Sequence, residues 1–274
     1  MTIQTADFDY VRTVLKQRAA IVLEPGKEYL VEARLMPIAR AAGCDGLTGL
    51  VDKLKLSSNS ALMTRVIEAM TTNETSWFRD LHPFEALCSK VMPEVIATRA
   101  AERTIRMWCG ASSSGQEPYT VLILLAERFP QLKDWTIDFL ATDLSSEMVA
   151  KCTAGKYSQL EMNRGMPTPL LLKYFERDGL DWRVKPELRS RITFKTMNLS
   201  TPWPSMRTMD IVFLRNVMIY FDVSTKKQIL SGIHRLLRPG GWLFLGSAES
   251  TLGIHEGFER VTEGKAVIYR PGKV

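Results

Sequence analysis

The stretch 105-IRMWCGASSSGQEPY-119 decides the fold, because it combines a short apolar run, a turn of small residues and a helix start. The run Ile105 to Cys109 suits a strand, and Pro118 suits the first turn of a helix, where its missing N–H is not needed. Strand, turn and helix in this order predict one unit of a parallel sheet covered by helices. A turn this small lets a ligand approach the backbone at Gly110. A tight turn without a ligand is the alternative.

The same alternation of β-rich and helical segments continues to the end of the chain. A helix is predicted at Ser224 to Leu237, because its apolar residues fall on one face. Between Gly155 and Arg191 the alternation breaks, and a few small antiparallel strands are expected there. Further strands of the main sheet, six or seven in total, are predicted at 135–142, 192–197, 210–214, 242–246 and 265–269.

Upstream of this region the sequence is helical. From Asp7 to Thr72, apolar residues recur at three and four positions, interrupted at Pro25-Gly26, Gly43 and Ser57 to Ser60, which predicts about four short helices. We therefore expect a small all-helical domain with its linker at 1–82 and a larger domain at 83–274. The larger domain is expected to contain the inserted β-subdomain at about 155–191.

Composition limits the class of protein. The chain has 274 residues, is 45% hydrophobic, and shows no apolar run near the ~20 residues that a membrane helix needs. Its start lacks the regions of a signal peptide, so cytoplasmic residence without membrane insertion is expected. Four widely spaced cysteines favour reduced thiols over disulfides or zinc, and no metal site is predicted. A net charge of +6 suits nucleic acid, anionic lipid or a carboxylate-rich protein.

Polar residues follow three predicted strands. Asp143 ends the strand 137–142, at the position where nucleotide-binding sheets hold ribose hydroxyls. Asn198 and Arg215-Asn216 follow two further strands and could line the same crevice. Each residue has a purely structural alternative: a helix cap for Asp143, turn chemistry for Asn198 and a capped loop for Arg215-Asn216. Three serines between Gly110-Ala111 and Gly115 replace the dinucleotide fingerprint, which favours S-adenosylmethionine over NAD.

Two further stretches are distinctive, 70-MTTNETSWFR-79 and 213-FLRNVMIYF-221. They resemble motifs of one family, the CheR family of chemoreceptor glutamate methyltransferases. The first is the most telling of the matching motifs, and the second is especially specific. The other matching motifs, which occur in the family's order, are Gly110 to Tyr119, Ala141-Thr142-Asp143 and Asn198-Leu199.

The resemblance implies both a fold and a site. The fold is a class I S-adenosylmethionine-dependent methyltransferase, with a Rossmann-like seven-stranded sheet, an all-helical N-terminal domain and an inserted antiparallel β-subdomain. Arg79 and Tyr220 match the residues usually placed beside the reacting carboxylate. Cofactor contacts are implied at Asn73, Thr75, Arg79, Glu117, Asp143, Asn198, Leu199, Arg215 and Asn216, and the close backbone approach adds Gly110.

The implied reaction forms glutamate methyl esters and S-adenosylhomocysteine, for adaptation in chemotaxis signalling. A glutamate carboxylate, with a pKa near ~4.3, is already ionised near pH 7, so it needs no general base and no catalytic histidine. The enzyme must instead align the glutamate oxygen, the methyl carbon and the sulfur of S-adenosylmethionine. The guanidinium of Arg79 suits a carboxylate, and Tyr220 could donate its hydroxyl. A surface ion pair and a core aromatic are their structural alternatives.

The implied partners are the cytoplasmic methylation helices of chemoreceptors. The turn region Glu176 to Arg183 is shorter than in family members that dock a C-terminal receptor pentapeptide, so that tether remains open. A nucleic-acid methyltransferase is one rival hypothesis, although 216-NVMIY-220 lacks the paired prolines of amino-methylating members and no Pro-Cys nucleophile is present. We therefore expect no nucleic-acid partner. The other rival is a protein that only binds S-adenosylmethionine or its product as a sensor.

Overall fold

The computed structural model describes residues 3–56 and 61–272, so the predicted break at Ser57 to Ser60 lies outside the described residues. Two compact units are present. The first contains the residues up to Thr72, together with Leu199–Thr201 and Tyr220–Lys226. The second contains Asn73–Asn198, Pro202–Ile219 and the residues from Lys227 onward. The domain bounds expected from the sequence, 1–82 and 83–274, stay predictions.

The first unit is built from the predicted short helices: α1 Thr5–Ala19, α2 Glu28–Ala41, α3 Gly46–Leu56 and α4 Ala61–Met70. Their apolar residues, spaced by three and four positions, form one buried cluster that includes Leu15, Leu35 and Leu50. α1 ends at Ala20, whose φ of 55° is left-handed and whose N–H bonds to the carbonyl of Lys16. The expectation of a small helical domain is confirmed.

The second unit holds the predicted alternation of strands and helices. Its strands are β1 Thr104–Gly110, β2 Thr136–Asp143, β3 Lys156–Tyr157, β4 Phe175–Asp178, β5 Asp181–Val184, β6 Ile192–Thr196, β7 Met209–Leu214, β8 Leu237–Leu245, β9 Phe258–Glu263 and β10 Ala266–Pro271. Its helices are α5 His82–Ala86, α6 Met92–Arg99, α7 Gln116–Arg128, α8 Ser146–Ala154, α9 Gln159–Met162, α10 Thr168–Tyr174 and α11 Pro186–Arg189, and α12 Val223–Leu236 begins in the first unit.

Seven strands form the main sheet, in the order β6-β2-β1-β7-β8-β10-β9. Strands β6, β2, β1, β7 and β8 run parallel, whereas β10 is antiparallel to both β8 and β9. This confirms the expected fold class. Two details differ from the sequence predictions. The pattern did not locate β9, and β8 begins at Leu237 and not at Trp242, with a register shift opposite Met209 and Ile211.

The inserted β-subdomain is a three-stranded antiparallel sheet in the order β3-β5-β4. Trp77 packs edge-on against Tyr157 at 5.0 Å and Phe175 at 5.3 Å, measured between ring centroids. Gly165 approaches the same tryptophan so closely that a β-carbon there would lie 2.3 Å from the Trp77 carbonyl oxygen, and its φ is +101°. The subdomain therefore anchors the segment that contains the 70–79 motif. Across residues 3–56 and 61–272, no helix has both the length and the apolar composition for crossing a membrane.

Candidate functional site

Predicted site residues of the second unit lie where the parallel strands of the sheet end. We call this side of the sheet, formed by the carboxyl ends of its parallel strands, the carboxyl edge. Strands β6, β2, β1 and β7 are neighbours and run parallel, so their carboxyl ends meet at that edge. Gly110 ends β1, and Asp143 ends β2. Asn198 follows β6, and Arg215-Asn216 follow β7. The crevice outside these strand ends is where open α/β sheets bind ligands.

The loop between β1 and α7 turns through left-handed backbone conformations. Ala111, Ser113 and Gly115 have φ values of 57°, 50° and 94°. A β-carbon at Gly115 would lie 3.0 Å from both the sulfur of Cys152 and the hydroxyl of Tyr157, so only glycine fits there without a shift of its neighbours. The loop is therefore held against α8 and the β-subdomain in one conformation.

Asp143 organises this loop. Its buried carboxylate accepts hydrogen bonds from the backbone N–H of Ser113 at 2.8 Å and of Ser145 at 2.9 Å. The structural alternative from sequence was a helix cap, but the N-cap of α8 is Ser145, whose hydroxyl accepts from the N–H of Met148. Asp143 therefore ties the carboxyl end of β2 to the loop that follows β1.

The segment 73–81 joins the same loop. The hydroxyl of Ser113 donates to the carbonyl of Asn73 at 2.8 Å. The segment contains three non-glycine residues with left-handed φ, namely Phe78 at 51°, Asp80 at 69° and Leu81 at 48°. Such strained backbone clusters at functional sites, where the surrounding structure holds it in place.

Within this segment, the predicted contact residues differ in what their side chains bind. The guanidinium of Arg79 folds back to donate to the carbonyl of Glu74 at 2.8 Å. The side chains of Asn73 and Thr75 make no hydrogen bond to the described part of the chain. Their polar groups are thus available to a ligand.

Arg215 is a buried cation between two carboxylates. Its guanidinium is ion-paired with Glu117 and with Asp80, the latter at 2.8 Å, and it donates to the carbonyl of Arg79 at 2.9 Å. It also lies 5.3 Å from the ring centroid of Phe84. Burial acts to lower the pKa of Arg215, but the two carboxylates outweigh it and the pKa is raised. Arg215 thereby fastens the 78–81 segment to α7 and to the end of β7.

Two predicted residues belong to the helical unit. Leu199 is buried, and the carbonyl of Tyr220 accepts a hydrogen bond from the N–H of Val22 at 2.9 Å. The hydrogen bonds described above therefore bring together Asn73, Arg79, Glu117, Asp143 and Arg215. The roles of Leu199 and Tyr220 stay predictions, as do the cofactor contacts of the other residues.

The sequence did not single out three residues of this edge. Ser113 and Asp80 make the contacts just described. Glu249 follows β8, and its carboxylate accepts from the N–H of Gly246 at 2.7 Å and of Asn216 at 2.8 Å. The available signal was position: Asp80 directly follows the 70–79 motif, and Glu249 lies four residues beyond the end of a parallel strand.

The buried thiols near this edge are protonated at neutral pH. Burial, reinforced by the carboxylate of Asp143, raises the pKa of Cys152 to about 12. Burial, reinforced by Glu117, raises the pKa of Cys109 well above its usual value. Since only a thiolate is a good nucleophile, neither cysteine is prepared for covalent catalysis.

Comparison with known proteins gives matches over nearly the whole chain. The family described as "CheR methyltransferase, SAM binding domain" matches residues 73–267, and "CheR methyltransferase, all-alpha domain" matches residues 6–71. The chain is 40% identical to chemotaxis protein methyltransferase Cher2 of Pseudomonas putida, covering 98% of this chain and 99% of that protein. It is 37% identical to a chemotaxis protein methyltransferase of Vibrio parahaemolyticus, covering 98% of each chain. For the Salmonella typhimurium protein of that name, identity is 34%, covering 91% of this chain and 85% of that one.

Proposed function

Because this chain belongs to the CheR methyltransferase family, we propose that it methylates glutamate side chains in the cytoplasmic methylation helices of bacterial chemoreceptors. That it is an S-adenosylmethionine-dependent methyltransferase follows from the family itself. The near full-length match to chemotaxis protein methyltransferases carries the proposal for the substrate. The net charge of +6 also suits an acidic protein surface.

The residues at the sheet edge fit S-adenosylmethionine. The cofactor presents ribose hydroxyls, an adenine edge and a charged amino-acid end. Asp143 supplies a carboxylate beside the β1–α7 loop, which suits hydroxyl groups. Asn198 and Asn216 are amides at neighbouring strand ends, and Asn73 and Thr75 contribute polar side chains from the segment that contacts the loop. We propose these residues, with Gly110, Glu117, Leu199 and Arg215, as the cofactor site.

The residues of this chain position the reactants. S-adenosylmethionine supplies a methyl group on a positively charged sulfur, and transfer to a glutamate oxygen leaves a neutral thioether and an ester. Arg79 offers a planar cation that suits a carboxylate, and Tyr220 offers a hydroxyl donor. No residue needs to remove a proton, because the substrate carboxylate is ionised near pH 7. Positioning therefore dominates the proposed mechanism.

Arg79→Ala and Tyr220→Phe test the proposed catalytic residues. We expect Arg79→Ala to lower kcat/KM for methyl transfer about 10- to 100-fold, since it removes a charge-assisted contact of about 1.5–3 kcal/mol. Tyr220→Phe removes a hydroxyl donor to the same ionised carboxylate, also a charge-assisted contact, so a loss of about 10- to 100-fold is expected for it too. Labelled methyl incorporation into purified receptor cytoplasmic domains measures both, with thermal melting to confirm folding. Arg260→Ala, at an exposed residue of β9, is the control. Near-normal esterification by Arg79→Ala and by Tyr220→Phe would contradict the assignments.

Removing the receptor's carboxyl-terminal tail tests how the receptor docks on this enzyme. Strands β4 and β5 pair Asp178 with Asp181, so only Gly179 and Leu180 connect them. We propose that the receptor is recognised directly, through its methylation helices and the helical unit, without a tethered pentapeptide. Methyl transfer to receptor domains with and without the tail should therefore agree within about twofold. A tenfold loss on removing the tail would show that a tether operates.

A further inference from the structure

A single carboxylate, that of Glu249, connects the carboxyl ends of two neighbouring parallel strands, β7 and β8. Oε2 of Glu249 accepts from the N–H of Gly246, after β8, at 2.7 Å and from the N–H of Asn216, after β7, at 2.8 Å. Oε1 accepts from the N–H of Ile219 at 3.3 Å. The N–H of Glu249 in turn donates to the carbonyl of Gly246 at 2.9 Å, which closes its own loop. One side chain thus organises the backbone on both sides of the β7–β8 pair.

The backbone that Glu249 holds is unfavourable by itself. Asn216 has a φ of 58°, a left-handed conformation that asparagine adopts more readily than other residues with a β-carbon but that still costs some free energy. Gly246 lies so close that a β-carbon there would be 2.6 Å from Nδ2 of Asn216 and 2.8 Å from Oε2 of Glu249. The amide of Asn216 is therefore packed over Gly246, and only a glycine at 246 permits this arrangement.

Among the described residues, the hydrogen bonds of the Glu249 carboxylate are with backbone N–H groups alone. It forms no ion pair with a lysine, arginine or histidine in the part of the chain that the structure describes. Charge-assisted hydrogen bonds of this kind are about twice as strong as neutral ones. Arg215, the residue before Asn216, is held separately by its ion pairs with Glu117 and Asp80. Glu249 therefore acts on Asn216 and the turn that follows it.

We propose that Glu249 is a positioning residue for S-adenosylmethionine binding. Its carboxylate holds Asn216 in the left-handed conformation, with the side-chain amide packed over Gly246 at the end of β8. This rests on the proposed role of Asn216 as a cofactor contact. It adds a residue, after the fifth parallel strand, that reaches the cofactor only through another side chain.

Glu249→Gln is the direct test. Glutamine has one acceptor oxygen in place of two, and its NH₂ would face a backbone donor, so at least one of the three hydrogen bonds is lost. We expect S-adenosylhomocysteine to bind about tenfold more weakly by calorimetry, while the protein stays folded by circular dichroism. Glu256→Gln, at an exposed glutamate of the same β8–β9 connection, should bind normally. Unchanged affinity in Glu249→Gln would overturn the proposal. If Glu249→Gln does not fold, Glu249→Asp, which keeps the charge but is one methylene shorter, is measured in its place.

A pair of double-mutant cycles separates positioning from general destabilisation. If Glu249 acts through Asn216, then Glu249→Gln should weaken binding less than twofold further in an Asn216→Ala background. An Asn73→Ala background lacks a different predicted cofactor contact. There, Glu249→Gln should still weaken the binding of S-adenosylhomocysteine about tenfold. Equal losses in both backgrounds would show that Glu249 is only structural, and the proposal would fail.

The binding assay needs no receptor, so it is independent of the proposed substrate. A chain that binds S-adenosylhomocysteine but esterifies no receptor glutamate would refute the proposed function and leave the role of Glu249 intact. Amide hydrogen exchange of the peptide covering 215–220 gives a second readout. Exchange there should be faster in Glu249→Gln than in the parent protein, and equal rates would contradict the proposal.

Discussion

Replacing Asp143 by asparagine is expected to weaken the binding of S-adenosylhomocysteine by more than about 100-fold. The proposed ribose contact uses a charged acceptor for two hydroxyl groups, and each such hydrogen bond contributes about 1.5–3 kcal/mol. The substitution also disturbs the loop after β1, because the same carboxylate accepts from the N–H of Ser113. Isothermal calorimetry with purified protein measures the effect directly.

Stability should fall in the same variant. The carboxylate of Asp143 binds two backbone N–H groups, those of Ser113 and Ser145, with different oxygens. Asparagine can replace only one of these acceptors, and a buried donor without a partner costs about 1–3 kcal/mol. Urea unfolding should show a loss of that size in the free energy of unfolding.

Asp138→Asn is the matched control. Asp138 lies on the same strand, β2, and its only charged neighbours among the described residues, Arg106 and Arg207, are both 3.9 Å away. At 3.9 Å neither pair includes a hydrogen bond, so the contribution of Asp138 is small and both stability and affinity should stay near those of the parent protein. Cofactor affinity within threefold of the parent in Asp143→Asn would contradict the ribose assignment.

The sequence predicted those parts of the fold in which the local pattern and the final burial agree. β7 is buried along its whole length, and it was visible as an apolar run. β9 was not visible in the sequence, because it is the last strand of the sheet and, within the described ranges, pairs only with β10. Glu259 and Arg260 face solvent there, so the strand carries no continuous apolar signal. Its existence depends on the antiparallel partner and not on its own residues.

The candidate site divides in the same way. Asp143 and Arg215 were predictable because their position follows from the strands that precede them. Asp80 and Glu249 were not, since their roles depend on contacts with residues 135 and 33 positions away along the chain. Their positions, directly after the 70–79 motif and shortly after β8, were visible in the sequence, but no local pattern encodes the contacts themselves. The left-handed backbone of Phe78, Asp80 and Leu81 was equally hidden, because none of them is a glycine.

Arg215→Met is expected to destabilise the protein by about 3–5 kcal/mol, the usual cost of breaking a buried ion pair by removing one partner. The side chain of Arg215 is 1% exposed and that of Glu117 14%, so water compensates the remaining charge poorly. Methionine keeps much of the length and apolar contact of the arginine stem. Urea unfolding measures the change, and Arg260→Met, on the exposed face of β9, should leave stability within about 0.5 kcal/mol.

The double variant Arg215→Met, Glu117→Gln tests whether the unpaired carboxylate causes the loss of stability in Arg215→Met. Replacing both members of the more buried Arg215–Glu117 pair costs less than removing Arg215 alone, because the carboxylate then left without its partner is only that of Asp80, whose side chain is 35% exposed to water. The second substitution should therefore restore about 1–2 kcal/mol of the loss, even though Glu117→Gln alone is destabilising. The two effects are then strongly non-additive, as expected for residues in direct contact. If the double variant is no more stable than Arg215→Met, the loss comes from packing around Phe84, and the ion-pair explanation is wrong.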